Sequence, residues 1–128
     1  MATTVLVADD HQIIRQGLRL LFAGQEDMEL VGEAENGRQA VELAEKLRPD
    51  VAVMDVSMPD MDGFEATRVL HATHPEIAVI ALSMHNDQIF IEGMKTAGAV
   101  GYVLKDAAFE ELATAIRAAM AGETYFPN

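Results

Sequence analysis

The run Val51-Ala-Val-Met-Asp55, followed by Val56-Ser-Met-Pro-Asp-Met-Asp-Gly63, decides how this chain folds. Four apolar residues stop at a carboxylate, and a turn-forming segment with a helix start comes next. Far upstream, Val5-Leu-Val-Ala8 stops in the same way at Asp9-Asp10. Two short apolar runs ending in acid read as neighbouring buried parallel strands with their carboxylates at the C-terminal edge. In open α/β sheets that edge is where ligands bind. Like charges brought together there repel by about 4 kcal/mol per pair at 4 Å in an effective dielectric near 20. The site therefore calls for positive charge, and a divalent cation together with Lys105 would supply it.

Outward from this stretch, strand and helix alternate five times. The strands are expected near Thr4–Ala8, Glu29–Gly32, Val51–Met54, Ala78–Leu82 and Val100–Leu104. Three are continuous apolar runs, as parallel strands covered on both faces should be. Helical stripes lie between them: Ile14, Leu18, Leu21 and Phe22; Ala40, Leu43, Ala44 and Leu47; Phe90, Met94 and Ala97; Phe109, Leu112, Ala113 and Ile116. Asn36 with Gln39 and Asp62 with Glu65 have the spacing of N-caps with a partner three residues on. Gly98, Pro49 and Pro75 stand where helices should stop, and Asp106 reads as the N-cap of the last helix. Strict alternation with short connections implies a doubly wound parallel sheet with right-handed crossovers.

A chain of 128 residues is one domain with room for a core. Nine Lys and Arg face twenty-one Asp and Glu, for a formal charge of -12. Nucleic acid is held by neutralising its phosphates, and beyond Lys105 the only basic residue is Arg117. Direct DNA contact by this domain is not expected. The absence of cysteine excludes disulfides and thiolate metal sites. The first apolar run ends at Asp9, too short for a signal peptide or a spanning helix. No membrane association is expected, and the reading favours the cytoplasm.

Five polar positions fall at strand ends: Asp9, Asp10, Asp55, Ser83 and Lys105. An acid pair, a central acid, a hydroxyl and an amine suit phosphoryl transfer to a carboxylate. Asp55 is the expected nucleophile, and Asp9, Asp10 and Asp55 the expected holders of Mg2+. Lys105 and Ser83 would contact the phosphoryl oxygens. Met54, Met58, Met61 and Met84 around them read as packing. His11 is open to two readings, a ligand beside the acid pair or an ordinary helix-start residue.

The motifs Asp9-Asp10-His11, Met54-Asp55-Val-Ser-Met-Pro-Asp-Met-Asp-Gly63, Ala81-Leu-Ser83 and Gly98-Ala-Val-Gly-Tyr-Val-Leu-Lys105 resemble the receiver domain of two-component response regulators, in its NarL/FixJ form. The resemblance covers essentially the whole chain. It implies a flavodoxin-like fold with strand order 2-1-3-4-5 and five helices. It implies phosphorylation of Asp55 by a sensor histidine kinase, with the protein catalysing only its own phosphorylation and dephosphorylation. Ser83 then matches the switch hydroxyl, and Tyr102 the switch aromatic, which turns inward into space that Ser83 vacates. The backbone carbonyl of Ser57 matches the third protein ligand of the metal. Residues 1–122 would form the receiver, and 123–128 the start of a linker to a LuxR-type helix-turn-helix domain that binds DNA. Homodimerisation on phosphorylation fits the same pattern. One departure is Asp106, which stands where many receivers have proline in a cis peptide.

Three other functions compete. A stand-alone receiver would act by protein–protein contact alone. A haloacid-dehalogenase-like phosphatase would place its nucleophile after the first strand in an Asp-x-Asp arrangement, where this chain has Asp9-Asp10-His11. A flavin-binding module of the same architecture would need a hydroxyl- and glycine-rich loop there to hold phosphate, and two carboxylates oppose that.

Overall fold

A computed structural model describes residues 2–127. Its elements run β1 (Thr3–Ala8), α1 (Gln12–Ala23), β2 (Met28–Ala34), α2 (Gly37–Leu47), β3 (Val51–Asp55), α3 (Gly63–Thr73), β4 (Ala78–Ser83), α4 (Gln88–Ala97), β5 (Gly101–Leu104) and α5 (Ala108–Met120). A short 3-10 turn, Lys105–Ala107, joins β5 to α5. All pairings are parallel, and the sheet order is β2-β1-β3-β4-β5. This is the flavodoxin-like arrangement expected of the sequence.

The period of two along each strand divides the core into two layers. Val5, Val7, Val51, Val53, Ile80 and Leu82 face one layer with Leu18 and Phe22 of α1 and Leu112 and Ile116 of α5. Leu6, Ala8, Ala52, Met54, Val79 and Ala81 face the other with Ala40, Ala44, Leu70 and Met94 of α2, α3 and α4. Both faces are dry, so the strands lack the polar alternation of a half-exposed sheet.

The expected caps form. Asn36 Oδ1 accepts from Gln39 N–H at 2.8 Å, and Asp62 Oδ1 accepts from Glu65 N–H at 2.9 Å. Gly98 ends α4 in the left-handed region at φ 117°, where a side chain would be strained. Gly63 is required for space. A Cβ there would lie 2.1 Å from the Asp55 carbonyl oxygen, so α3 starts directly against the end of β3.

Several expectations change. β2 extends to Ala34, past the expected Gly32, because Glu33 and Ala34 continue the parallel pairing with Val7 and Ala8 of β1. Asp106 does not cap α5; Ala107 occupies that position with no side-chain bond. The preceding turn replaces the cap, since Ala108 N–H finds the Lys105 carbonyl. No peptide bond among the described residues is cis, so Lys105–Asp106 is trans. Phe109 is 62% exposed and outside the core. Its ring lies over α1, where a Cβ on Gly17 would come within 2.7 Å of Phe109 Cζ.

The segment expected to open a linker folds back onto β5. Tyr125 N–H donates to the Val100 carbonyl at 2.9 Å, and Tyr102 N–H donates to the Tyr125 carbonyl at 2.8 Å. The Tyr125 hydroxyl reaches Glu111 at 3.0 Å, and Lys95 Nζ lies 4.7 Å from the centre of the Phe126 ring.

Candidate functional site

The sheet order brings the ends of β1, β3, β4 and β5 side by side, and the polar residues meet there. Asp9 and Asp55 are buried carboxylates, and Ser83 is a buried hydroxyl. Lys105 Nζ lies 3.0 Å from Asp9 Oδ2 and 3.1 Å from Asp55 Oδ2. Neither of those oxygens receives a hydrogen bond of good geometry. Asp10 is partly exposed beside them. One donor atom from each of Asp9, Asp10, His11 and Asp55 lies within 4.8 Å of all the others. A small cavity of about 60 Å³ opens here, lined by Asp55, Ser57, Ser83, Lys105, His11, Met84 and His85. A larger groove of about 560 Å³ beside it is lined by Ile13, Ile14, Met84 and Leu104 among others.

Burial pushes the Asp55 carboxyl up to about 7, and the charge of Asp9 adds to the shift. Lys105 and the Ser57 N–H, 3.3 Å from Asp55 Oδ1, act the other way. One ammonium is therefore too little positive charge for two buried acids and a third at the rim. The donor set is all hard oxygen apart from His11, and it fits a small divalent cation such as Mg2+.

Every residue singled out in the sequence is near this rim, with one difference in arrangement. Tyr102 is already inside, 1% exposed. Its hydroxyl donates to the His85 carbonyl at 2.6 Å, and burial raises its pKa. The enclosed phenol has found a backbone acceptor, so the inward position needs no vacated space. Ser83 Oγ meanwhile accepts from His85 N–H at 2.9 Å. His85 stacks on Phe90 of α4 with ring centres 4.4 Å apart, and Phe90 packs near Phe64 of α3. Met84, expected as packing, is 76% exposed.

The structure ties two more residues into the cluster: His11, left open by the sequence between ligand and helix start, and Arg15, which the sequence did not single out. His11 N–H donates to Asp9 Oδ1 at 2.8 Å, and its ring Nδ1 lies 3.0 Å from the same oxygen. The Arg15 guanidinium donates to the Asp9 carbonyl at 2.6 Å and lies 3.6 Å from Glu33. Arg15 thus anchors the β1–α1 loop from below. The only sequence signal for it was its place one helical turn after His11.

Comparison with known proteins agrees with this geometry. Residues 5–117 match the family described as the response regulator receiver domain. The chain is 40% identical to the response regulator GacA of Pseudomonas viridiflava over 121 residues, 94% of this chain and 56% of that protein. It is 38% identical to the transcriptional regulatory protein DegU of Brevibacillus brevis, covering 94% of this chain and 51% of that one. It thus spans about half the length of these relatives. Among solved structures, a LuxR-family two-component response regulator from Aurantimonas sp. SI85-9A1 superposes with a TM-score of 0.92 at 33% identity, covering 98% of this chain and 89% of that one. The non-phosphorylated receiver domain of the stress response regulator RcsB from Escherichia coli gives 0.93 at 29% identity, with both chains fully covered. With its acid pair, central aspartate, hydroxyl and lysine on one rim of a 2-1-3-4-5 sheet, the chain belongs to the response regulator receiver family, in its NarL/FixJ branch.

Proposed function

We propose that this domain accepts a phosphoryl group on Asp55 from the phosphohistidine of a sensor histidine kinase. A carboxylate oxygen of Asp55 forms the new P–O bond while the P–N bond of the donor breaks and the imidazole leaves. The observation that carries this reading is the sharing of one ammonium, Lys105, between the buried acids Asp9 and Asp55. Asp10, Asp55 and the Ser57 carbonyl, with Asp9 beside them, would hold Mg2+. When bound, that ion supplies the positive charge the acids lack and offsets charge on the incoming group. Lys105 then exchanges its contact with Asp55 for a phosphoryl oxygen.

The new group would draw the Ser83 hydroxyl away from His85 N–H. Loss of that bond loosens residues 84–86, whose carbonyl at His85 holds Tyr102 and whose ring stacks on α4. A local charge change thereby biases the packing of α4, β5 and α5. The domain comprises residues 1–122, and output runs through a LuxR-type DNA-binding domain beyond residues 123–128. The greater length of GacA and DegU, and the description of DegU as a transcriptional regulatory protein, support that. A stand-alone receiver acting on another protein, directly or as a homodimer, is the second reading. The acidic charge of -12 argues against direct DNA contact by this domain in either case. No helix among the described residues is long and apolar enough to cross a membrane, in keeping with a proposed cytoplasmic location.

Incubation with acetyl phosphate and Mg2+, followed by intact-mass measurement, tests the core of this proposal. One phosphoryl adduct is expected, not formed when EDTA is present from the start and absent in Asp55→Asn. An adduct of equal yield in that variant would overturn the assignment.

A further inference from the structure

His11 is the one nitrogen donor among the acids, and phosphoryl transfer as described above gives it no task. It stands at the N-cap of α1 without making a side-chain cap bond. Its ring is 57% exposed, so packing does not hold it. Even so, Nδ1 lies 3.0 Å from Asp9 Oδ1, 3.3 Å from Asp10 Oδ1 and 3.2 Å from Lys105 Nζ. The loop that carries the ring is held by His11 N–H on Asp9 Oδ1 and by the Arg15 guanidinium on the Asp9 carbonyl.

These separations have a chemical meaning. Two donors each about 2.1 Å from a metal and at right angles to each other lie about 3.0 Å apart. Nδ1 and its two carboxylate neighbours thus have the spacing of adjacent ligands on one coordination sphere. Asp9 Oδ2 and Asp55 Oδ2 face the same cluster from its buried side, and the Lys105 ammonium, 3.0 and 3.1 Å away, is the one positive charge beside them. The two carboxylate contacts suit the tautomer with its hydrogen on Nδ1 and the Lys105 contact suits the one with its hydrogen on Nε2; a bound cation would select the second, which leaves Nδ1 its lone pair.

We propose that His11 is a nitrogen ligand, making this a mixed site at which imidazole-preferring divalent ions of the Zn2+ class compete with Mg2+. The inference rests on the reading of Asp10 and Asp55 as the Mg2+ site. Mg2+ favours oxygen donors and gains little from an imidazole, whereas Zn2+ gains much. An ion held through His11 occupies carboxylates that Mg2+ requires, so it opposes phosphoryl uptake.

Mn2+ is the probe. Electron spin echo spectroscopy of the Mn2+-loaded protein should show 14N coupling that disappears in His11→Gln and survives in His85→Gln, the other imidazole lining the cavity. In displacement titrations, Zn2+ should remove Mn2+ from the wild type at a concentration about tenfold or more below that needed for His11→Gln. Mg2+ should displace Mn2+ equally from both. Circular dichroism establishes that the variants fold. Bound Mn2+ without 14N coupling, coupling unchanged in His11→Gln, coupling lost in His85→Gln, or equal Zn2+ affinities would each overturn the role of His11. If instead Mn2+ fails to bind, or binds as well to Asp10→Ala and Asp55→Asn, the acid-site reading falls as well. The two failures are therefore distinguishable.

Discussion

Lys105 Nζ lies 3.1 Å from Asp55 Oδ2, within a pocket that leaves only 8% of the lysine side chain and 3% of the aspartate side chain exposed. Removing one partner of a buried pair leaves the other charge uncompensated, at a cost of about 3–5 kcal/mol. Lys105→Met should therefore lower the urea midpoint markedly in Mg2+-free buffer at pH 8. At pH 5, where Asp55 carries a proton, the loss should be smaller, the remainder falling on Asp9, whose Oδ2 lies 3.0 Å from the same ammonium. Equal losses at both pH values would show that the ammonium does not offset the Asp55 charge.

The raised Asp55 pKa gives a stability profile of definite sign. In the unfolded chain Asp55 ionises near the ordinary carboxylate value of 3.8, whereas in the folded protein it keeps its proton to about 7. The folded state binds more protons between those values, so the contribution of Asp55 falls as pH rises through that window. Thermal unfolding in EDTA from pH 4.5 to 8 should show the decline. Asp55→Asn should flatten it, and Mg2+ should reverse it by compensating the charge. A wild-type profile identical to that of Asp55→Asn would contradict the shift.

Tyr102→Phe keeps the buried ring but leaves the His85 carbonyl without its 2.6 Å donor. A loss of about 1 kcal/mol in stability is expected. Amide exchange should quicken at residues 84–90, because His85 ties that loop to α4. Unchanged exchange there would mean the hydroxyl bond does not restrain the loop.

Gly63→Ala places a methyl 2.1 Å from the Asp55 carbonyl oxygen, with rigid backbone on both sides. A penalty of about 3 kcal/mol is expected, together with weakened Mg2+ binding as the end of β3 shifts. Gly122→Ala provides the contrast: no atom crowds its Cβ position, and its only strain comes from a φ of 80°.

Much of this was legible in the sequence because each strand carries its own stop signal. Asp9, Asp55, Ser83 and Lys105 interrupt apolar runs, and parallel topology brings every such interruption to the same rim. Asn36 and Asp62 were legible because a cap acts over three residues. Phe109 was misplaced because its spacing fits the helical stripe while its angle points over Gly17. Asp106 was misplaced because a 3-10 turn and a capping side chain satisfy the same N–H groups. The inward Tyr102 and the roles of Arg15 and Tyr125 depend on partners elsewhere in the fold, which no local pattern encodes.

The return of Tyr125 along β5 has a protective consequence. A bare outer strand offers a ladder of open amides to any passing polypeptide, and sheets left so tend to stick together. Here the chain shields that flank with its own backbone, and the Glu111 carboxylate fastens the shield through the phenol. Detaching it, as Tyr125→Pro would by deleting the donor to Val100, should make the domain more prone to self-association, visible as concentration-dependent light scattering.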